Sequence, residues 1–130
     1  MAAKSAAALF LDTLPFNGHS TVVEALWEAL PVVTLPGTRM AGRVAASLLA
    51  AASLGGLFVA RTQSEYSDLA ARLLSGRGQV LLDARRRLAK ERDDSKLWDT
   101  TTWVRGFESG LLSLWDVHAS GRDSMHLSIL

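Results

Sequence analysis

An alternation within the first sixty residues constrains this chain most. Short apolar runs, each closed by a polar or Pro/Gly turn, change places with longer segments of helical periodicity. Residues Ala7 to Asp12 form the first run, which suits a fully buried strand. The loop from Thr13 to His19 carries Pro15 and the turn pair Asn17-Gly18. A helix is expected from Thr21 to about Leu30, with Val22, Val23, Leu26 and Trp27 as its inner stripe. Val32-Val33-Thr34-Leu35 reads as a second buried strand, stopped by Pro36-Gly37. A second helix follows from about Met40 to Ala52, and Gly55-Gly56 breaks the chain before a third strand, Leu57 to Ala60. Strand, helix, strand, helix, strand with short connections predicts parallel βαβ units in an α/β fold with a short parallel sheet. Right-handed crossovers place the helices on the sheet faces. Three strands are fewer than doubly wound domains usually have.

The chain's 130 residues suffice for one domain or part of a larger one. Hydrophobic residues at 48% and charged ones at 21% exclude disorder. Fourteen basic and 13 acidic residues leave a net charge of +1, so no electrostatic pull toward nucleic acid or anionic membrane is expected. Cysteine is absent, which removes disulfides, thiolate metal sites and cysteine nucleophiles. The apolar stretch Met1 to Leu11 is short, is closed by Asp12 and precedes no small-residue cleavage site. It reads as the lead into a strand rather than a signal peptide. The uncharged stretch Val44 to Ala60 is shorter than the ~20 residues of a spanning helix. A soluble intracellular protein is the expectation.

Past Arg61 the charges accumulate and the pattern turns helical, over about Ser64–Leu74, Gln79–Glu91 and Thr101–Ala119, with a weakly ordered tail over the last ten residues. Arg85-Arg86-Arg87 is interleaved with acidic neighbours around one helix, the pattern of a solvated face. Trp98, Trp103 and Trp115 near the last helix are expected to dock onto the rest of the fold. His19, His118 and His126 have no metal-ligand spacing, and no nucleophile elbow or P-loop lysine motif occurs.

The residues best placed for chemistry are Asn17-Gly18-His19-Ser20-Thr21, between the first strand and the first helix. Ligands of open α/β sheets bind beyond the carboxyl ends of the strands, and a helix N-terminus favours an anion. Ser20 and Thr21 offer hydroxyl donors to a phosphate, and Gly18 allows close backbone approach. Glu24, one turn on, can accept hydrogen bonds from a ribose. Thr21-x-x-Glu24 also reads as a capping box that needs no ligand, and the local pattern alone favours the cap. Arg39 and Arg43 can pair with a phosphate bidentately. Arginines so placed are more often solvated or carboxylate-paired, and ligand contact is not expected of them.

Beyond single motifs, an ordered series of residues resembles the C-terminal end of the O-linked N-acetylglucosamine transferases, glycosyltransferase family 41. It comprises Leu11-Asp12-Thr13, Asn17 to Thr21, Ala25-Leu26-Trp27, Pro31 to Pro36, Met40-Ala41 and Arg43 to Leu48. Glu65-Tyr66, Leu97 to Thr100, Trp103, Ser113-Leu114-Trp115 and His118 complete it, the closing run being most like the plant branch. The resemblance implies a Rossmann-like GT-B C-terminal half. Residues 1–60 would be its donor-binding βαβαβ portion, 61–120 a helical portion and 121–130 a tail. Family members move N-acetylglucosamine from UDP-GlcNAc to serine or threonine of intracellular proteins, here cytoplasmic or nuclear. By resemblance Ser20 and Thr21 hold the donor diphosphate, His19 lies beside diphosphate and sugar, and Glu24 stands where an acidic residue binds the ribose. No metal or other cofactor is implied, and the partners are a UDP-sugar and acceptor proteins reached through other parts of the enzyme. The family's phosphate-neutralising lysine, uracil-reading backbone and second histidine lie upstream of the matched region. The resemblance therefore implies inactivity for these residues alone. Two alternatives stand beside it: a non-catalytic nucleotide-binding or interaction remnant, and a segment of a sibling GDP-fucose protein O-fucosyltransferase.

Overall fold

A computed structural model describes residues 7–76 and 78–128. The first six residues of the expected lead into the strand and the last two of the expected tail lie outside the described residues. The chain forms two compact units, one running to Leu97 and one from Trp98. The first holds β1 (Phe10–Leu11), α1 (Ser20–Trp27), β2 (Val32–Val33), a 3-10 turn (Met40–Gly42), α2 (Val44–Ala51), α3 (Gly55–Phe58), α4 (Gln63–Ser75) and α5 (Gln79–Glu91). The second holds α6 (Thr100–Ala119).

β1 and β2 pair in parallel, Phe10 opposite Val32 and Leu11 opposite Val33. The ladder continues at both ends, Phe10 N–H donating to Pro31 O at 2.8 Å and Asp12 N–H to Val33 O at 3.0 Å. β1 is not the fully buried strand that its composition suggests. It pairs on one side only among the described residues, and Leu11 is 47% exposed. The expected third strand is replaced by the helical turn α3, after which Val59 alone reaches the sheet, in a parallel bridge to Thr34. Leu54 and Phe58 are both buried at 1% or less. Winding at ~1.5 Å per residue, against ~3.3 Å for a strand, fits four residues between two anchored positions.

α1 begins at Ser20, one residue before the expected start, and buries Val22, Ala25 and Leu26. Trp27, expected on the inner stripe, is 43% exposed. The Arg92 guanidinium lies 4.6 Å from its ring centroid and donates to Trp27 O at 3.1 Å, closing the helix C-terminus. The expected helix over Met40–Ala52 is divided, a 3-10 turn and Arg43 preceding α2. α1 and α2 end alike: Leu30 N–H reaches Ala25 O and Leu54 N–H reaches Leu49 O, both at 2.8 Å. The left-handed residues are Ala29 (φ 55°) and Ser53 (φ 58°), positions where such caps favour glycine.

The core gathers where α1 packs on β2 and α2 packs on α1, with Val22, Val32, Val33, Leu49 and Phe58 fully buried. α4 starts at a side-chain cap, Thr62 Oγ1 accepting from Glu65 N–H at 3.1 Å. α5 buries Leu81, Ala84 and Leu88 along one stripe. Its outer face pairs Arg86 with Asp83 at 3.4 Å and Arg87 with Glu91 at 3.1 Å, the solvated face expected of these two, whereas Arg85 is half-buried and donates to Ala7 O. In the second unit, Asp99 caps α6 by accepting Thr102 N–H at 2.9 Å. Trp103 and Trp115 are 64% and 65% exposed, Trp103 stacking on Phe107 and Trp115 tilting against His118 within their own helix. Residues 122–128 carry no regular secondary structure. Among the described residues no helix is long and apolar enough to cross a membrane.

Candidate functional site

The loop leaving β1 is built around a buried carboxylate. Asp12 is 4% exposed, and its two oxygens accept three hydrogen bonds. Thr13 N–H (2.9 Å) and Gly18 N–H (2.7 Å) reach Oδ1, and the Thr34 hydroxyl reaches Oδ2 at 2.6 Å. A charge removed from water persists only with such partners. Together these bonds fold the loop back on itself and tie it to the residue after β2. From α4 the Tyr66 hydroxyl donates to Asp12 O at 2.9 Å. Burial first, and the nearby Asp12 charge second, push the Tyr66 phenol above its ordinary range.

The same loop presents the residues singled out from the sequence. Asn17 is 1% exposed; its N–H donates to Ala41 O at 3.0 Å and its side-chain amide to Thr13 O at 3.2 Å. Its Oδ1 is buried without a hydrogen-bond partner among the described residues. Gly18 is required by the loop's own packing. Its N–H is committed to Asp12, and a Cβ there would lie 2.4 Å from Thr21 Oγ1. Glycine is what lets the Thr21 hydroxyl sit against the loop. His19 is half-buried, its ring stacked on Phe16 with centroids 4.9 Å apart and planes 19° from parallel. His19 Nε2 lies 3.4 Å from Ala41 O.

His19 occupies the N-cap position of α1 without a side-chain cap, and Thr21, expected at the helix boundary, is already inside the helix. Ser20, Thr21 and Glu24 are all exposed, Thr21 and Glu24 one turn apart. Val23 N–H is satisfied by His19 O at 3.1 Å. The structure thus brings His19, Ser20 and Thr21 to one helix N-terminus at the carboxyl end of β1, with Glu24 a turn further in. Among the described residues no group of three or more His, Asp or Glu side chains is arranged to hold a metal ion.

Sequence reasoning missed Asp12, Thr34 and Tyr66 as makers of this loop, and Phe16 as the partner of His19. A signal for the first two was present: a carboxylate closing one buried strand and a hydroxyl inside the next apolar run must find partners.

A parallel sheet with a helix N-terminus beyond its strand ends is an α/β arrangement. The profile of Glycosyl transferase family 41 matches residues 3–107. The chain belongs to that family. Among curated relatives, the probable UDP-N-acetylglucosamine–peptide N-acetylglucosaminyltransferase SEC of Arabidopsis thaliana is 35% identical over 94% of this chain and 12% of its own length. The UDP-N-acetylglucosamine–peptide N-acetylglucosaminyltransferase of Caenorhabditis elegans is also 35% identical, over 91% of this chain and 10% of its own. An O-GlcNAc transferase mutant of Thermobaculum terrenum superposes with a TM-score of 0.80 at 38% identity, covering 88% of this chain and 22% of that one. The chain therefore spans about an eighth of the curated relatives' length.

Proposed function

We propose that this chain is the donor-binding, C-terminal part of the catalytic domain of a protein O-GlcNAc transferase. Its ligand in this reading is UDP-GlcNAc, and the group transferred is N-acetylglucosamine, to serine or threonine of cytoplasmic or nuclear proteins. The observation that carries the reading is the placement of His19, Ser20 and Thr21 at the α1 N-terminus beyond β1, in a chain of this family. The helix dipole supplies partial positive charge, and the two hydroxyls supply donors. Held there, a diphosphate is stabilised as it departs from the sugar. His19, fixed by Phe16 and Ala41, borders the diphosphate and sugar, and Glu24 accepts from a ribose hydroxyl. No metal enters the scheme.

Transfer also requires an acceptor hydroxyl positioned against the sugar, and further charge on the leaving diphosphate. In this reading other parts of the enzyme provide both, so the 130-residue chain binds donor without transferring sugar. Calorimetric titration with UDP tests the site. Binding by the wild-type chain, lost on combined Ser20→Ala and Thr21→Ala with the circular dichroism unchanged, is the expected result. Absence of UDP binding in the wild type refutes it and favours a non-catalytic remnant. Sugar transfer by these residues alone would refute the division of labour.

A further inference from the structure

Beside the donor loop a cavity of about 560 Å³ opens between the segment after β1 and the segment after β2. Pro15 and Phe16 form one wall; Thr38, Arg39 and Ala41 form the other. Two glycines hold the walls together. Gly37 N–H donates to Gly42 O at 2.7 Å, and a Cβ on Gly42 would lie 2.8 Å from Pro15 O. The cavity is continuous with the site through Ala41, whose carbonyl takes the Asn17 N–H and faces His19 Nε2. It therefore lies beyond the carboxyl ends of two adjacent parallel strands, where α/β sheets receive ligands.

Charge decides what it can receive. Asp12 places a buried negative charge directly behind Gly18, and Glu24 adds another a turn into α1, both opposed to an anion at this helix end. Arg39 is the cation on the cavity wall, is exposed, and has no ion pair or hydrogen bond from its guanidinium among the described residues. A guanidinium left in water beside a cavity matches an oxyanion bidentately. Phe16, 62% exposed, stands on the opposite wall.

We infer that Arg39 is a ligand-binding residue, pairing with a phosphate oxyanion in this cavity next to His19. The inference rests on the donor reading above, in which that oxyanion belongs to a nucleoside diphosphate; free pyrophosphate carries the same chemistry. Arg43 is the internal control. It is exposed on a separate surface with Met40, Val44, Ser47 and Leu48.

The test titrates the full chain with UDP and, separately, with inorganic pyrophosphate. Arg39→Gln is expected to weaken both about tenfold. Arg39→Lys should fall between, keeping charge but losing the fork, and Arg43→Gln should bind as the wild type does. Unchanged affinity in Arg39→Gln, or equal losses in Arg39→Gln and Arg43→Gln, overturns the inference and leaves the donor reading standing if Ser20→Ala with Thr21→Ala abolishes UDP binding. Binding that needs Arg39 but ignores Ser20 and Thr21 overturns the donor reading and keeps the oxyanion cavity. No binding of either ligand by the wild type overturns both. Arg39 is exposed, so the variants should fold, and thermal unfolding verifies it.

Discussion

The Asp12 carboxylate shows how one side chain shapes a functional loop. Replacing it with alanine strands the Gly18 and Thr13 amides and the Thr34 hydroxyl together. A loss of about 3 kcal/mol is expected in urea unfolding, since each bond to a charged group is worth ~1.5–3 kcal/mol and part is recovered by water. Gly18→Ala strikes the same loop from the other side, forcing the Thr21 hydroxyl away from a Cβ placed 2.4 Å from it. It should cost ~1–3 kcal/mol and weaken UDP binding together, as calorimetry and unfolding can verify. Tyr66, the chain's one tyrosine, makes a pH signature. Its phenol is raised in the folded state by burial and by Asp12. As pH climbs past ~10 the unfolded chain releases the proton while the folded chain retains it, so stability falls. The unfolding midpoint should drop between pH 9 and pH 11, approximate limits set by the ordinary phenol value. Tyr66→Phe should flatten the tyrosine part of that slope.

At the scale of elements, α1 and α2 end on left-handed residues that carry a Cβ, Ala29 at φ 55° and Ser53 at φ 58°. That conformation costs an L-residue roughly 1–2 kcal/mol, while glycine costs ~0.5–1 kcal/mol in the unfolded chain's entropy. Ala29→Gly is therefore expected to stabilise the fold by about 0.5–1 kcal/mol, read as a rise of a few degrees in Tm. α3 gives the opposite result. Its Phe58 is fully buried beneath the Thr34–Val59 bridge, so Phe58→Ala should cost about 3–5 kcal/mol. Elements with long amphipathic periods were the legible ones. α5 has the predicted limits, Gln79–Glu91, because a thirteen-residue stripe leaves little freedom for its ends. β1, β2 and α3 have only two, two and four residues, too short for periodicity to distinguish a strand from a turn of helix.

Over the whole molecule, the order of parallel units and the family could be read from residues in sequence order, and the comparisons agree with both. Chemistry-bearing types in a strand–loop–helix setting mark His19, Ser20, Thr21 and Glu24 without coordinates. What the chain could not disclose is which of its polar residues meet. Asp12, Thr34 and Tyr66 are separated by 22 and 32 positions, and Phe16 reaches His19 only once the loop has closed. Local pattern records what a segment prefers, so it favoured a capping box at Thr21. In the structure the helix starts at Ser20 and Thr21 lies within its first turn. Arg39 looked like one more solvated arginine by composition. Its place on a cavity wall arose from two loops meeting across Gly42 and Pro15, a contact between distant segments that no window of sequence contains. The sequence alone thus determined the periodicity, the parallel order and the residue types at the strand ends. The tertiary structure decided their partners, because buried polar groups are satisfied by whatever the fold brings near them.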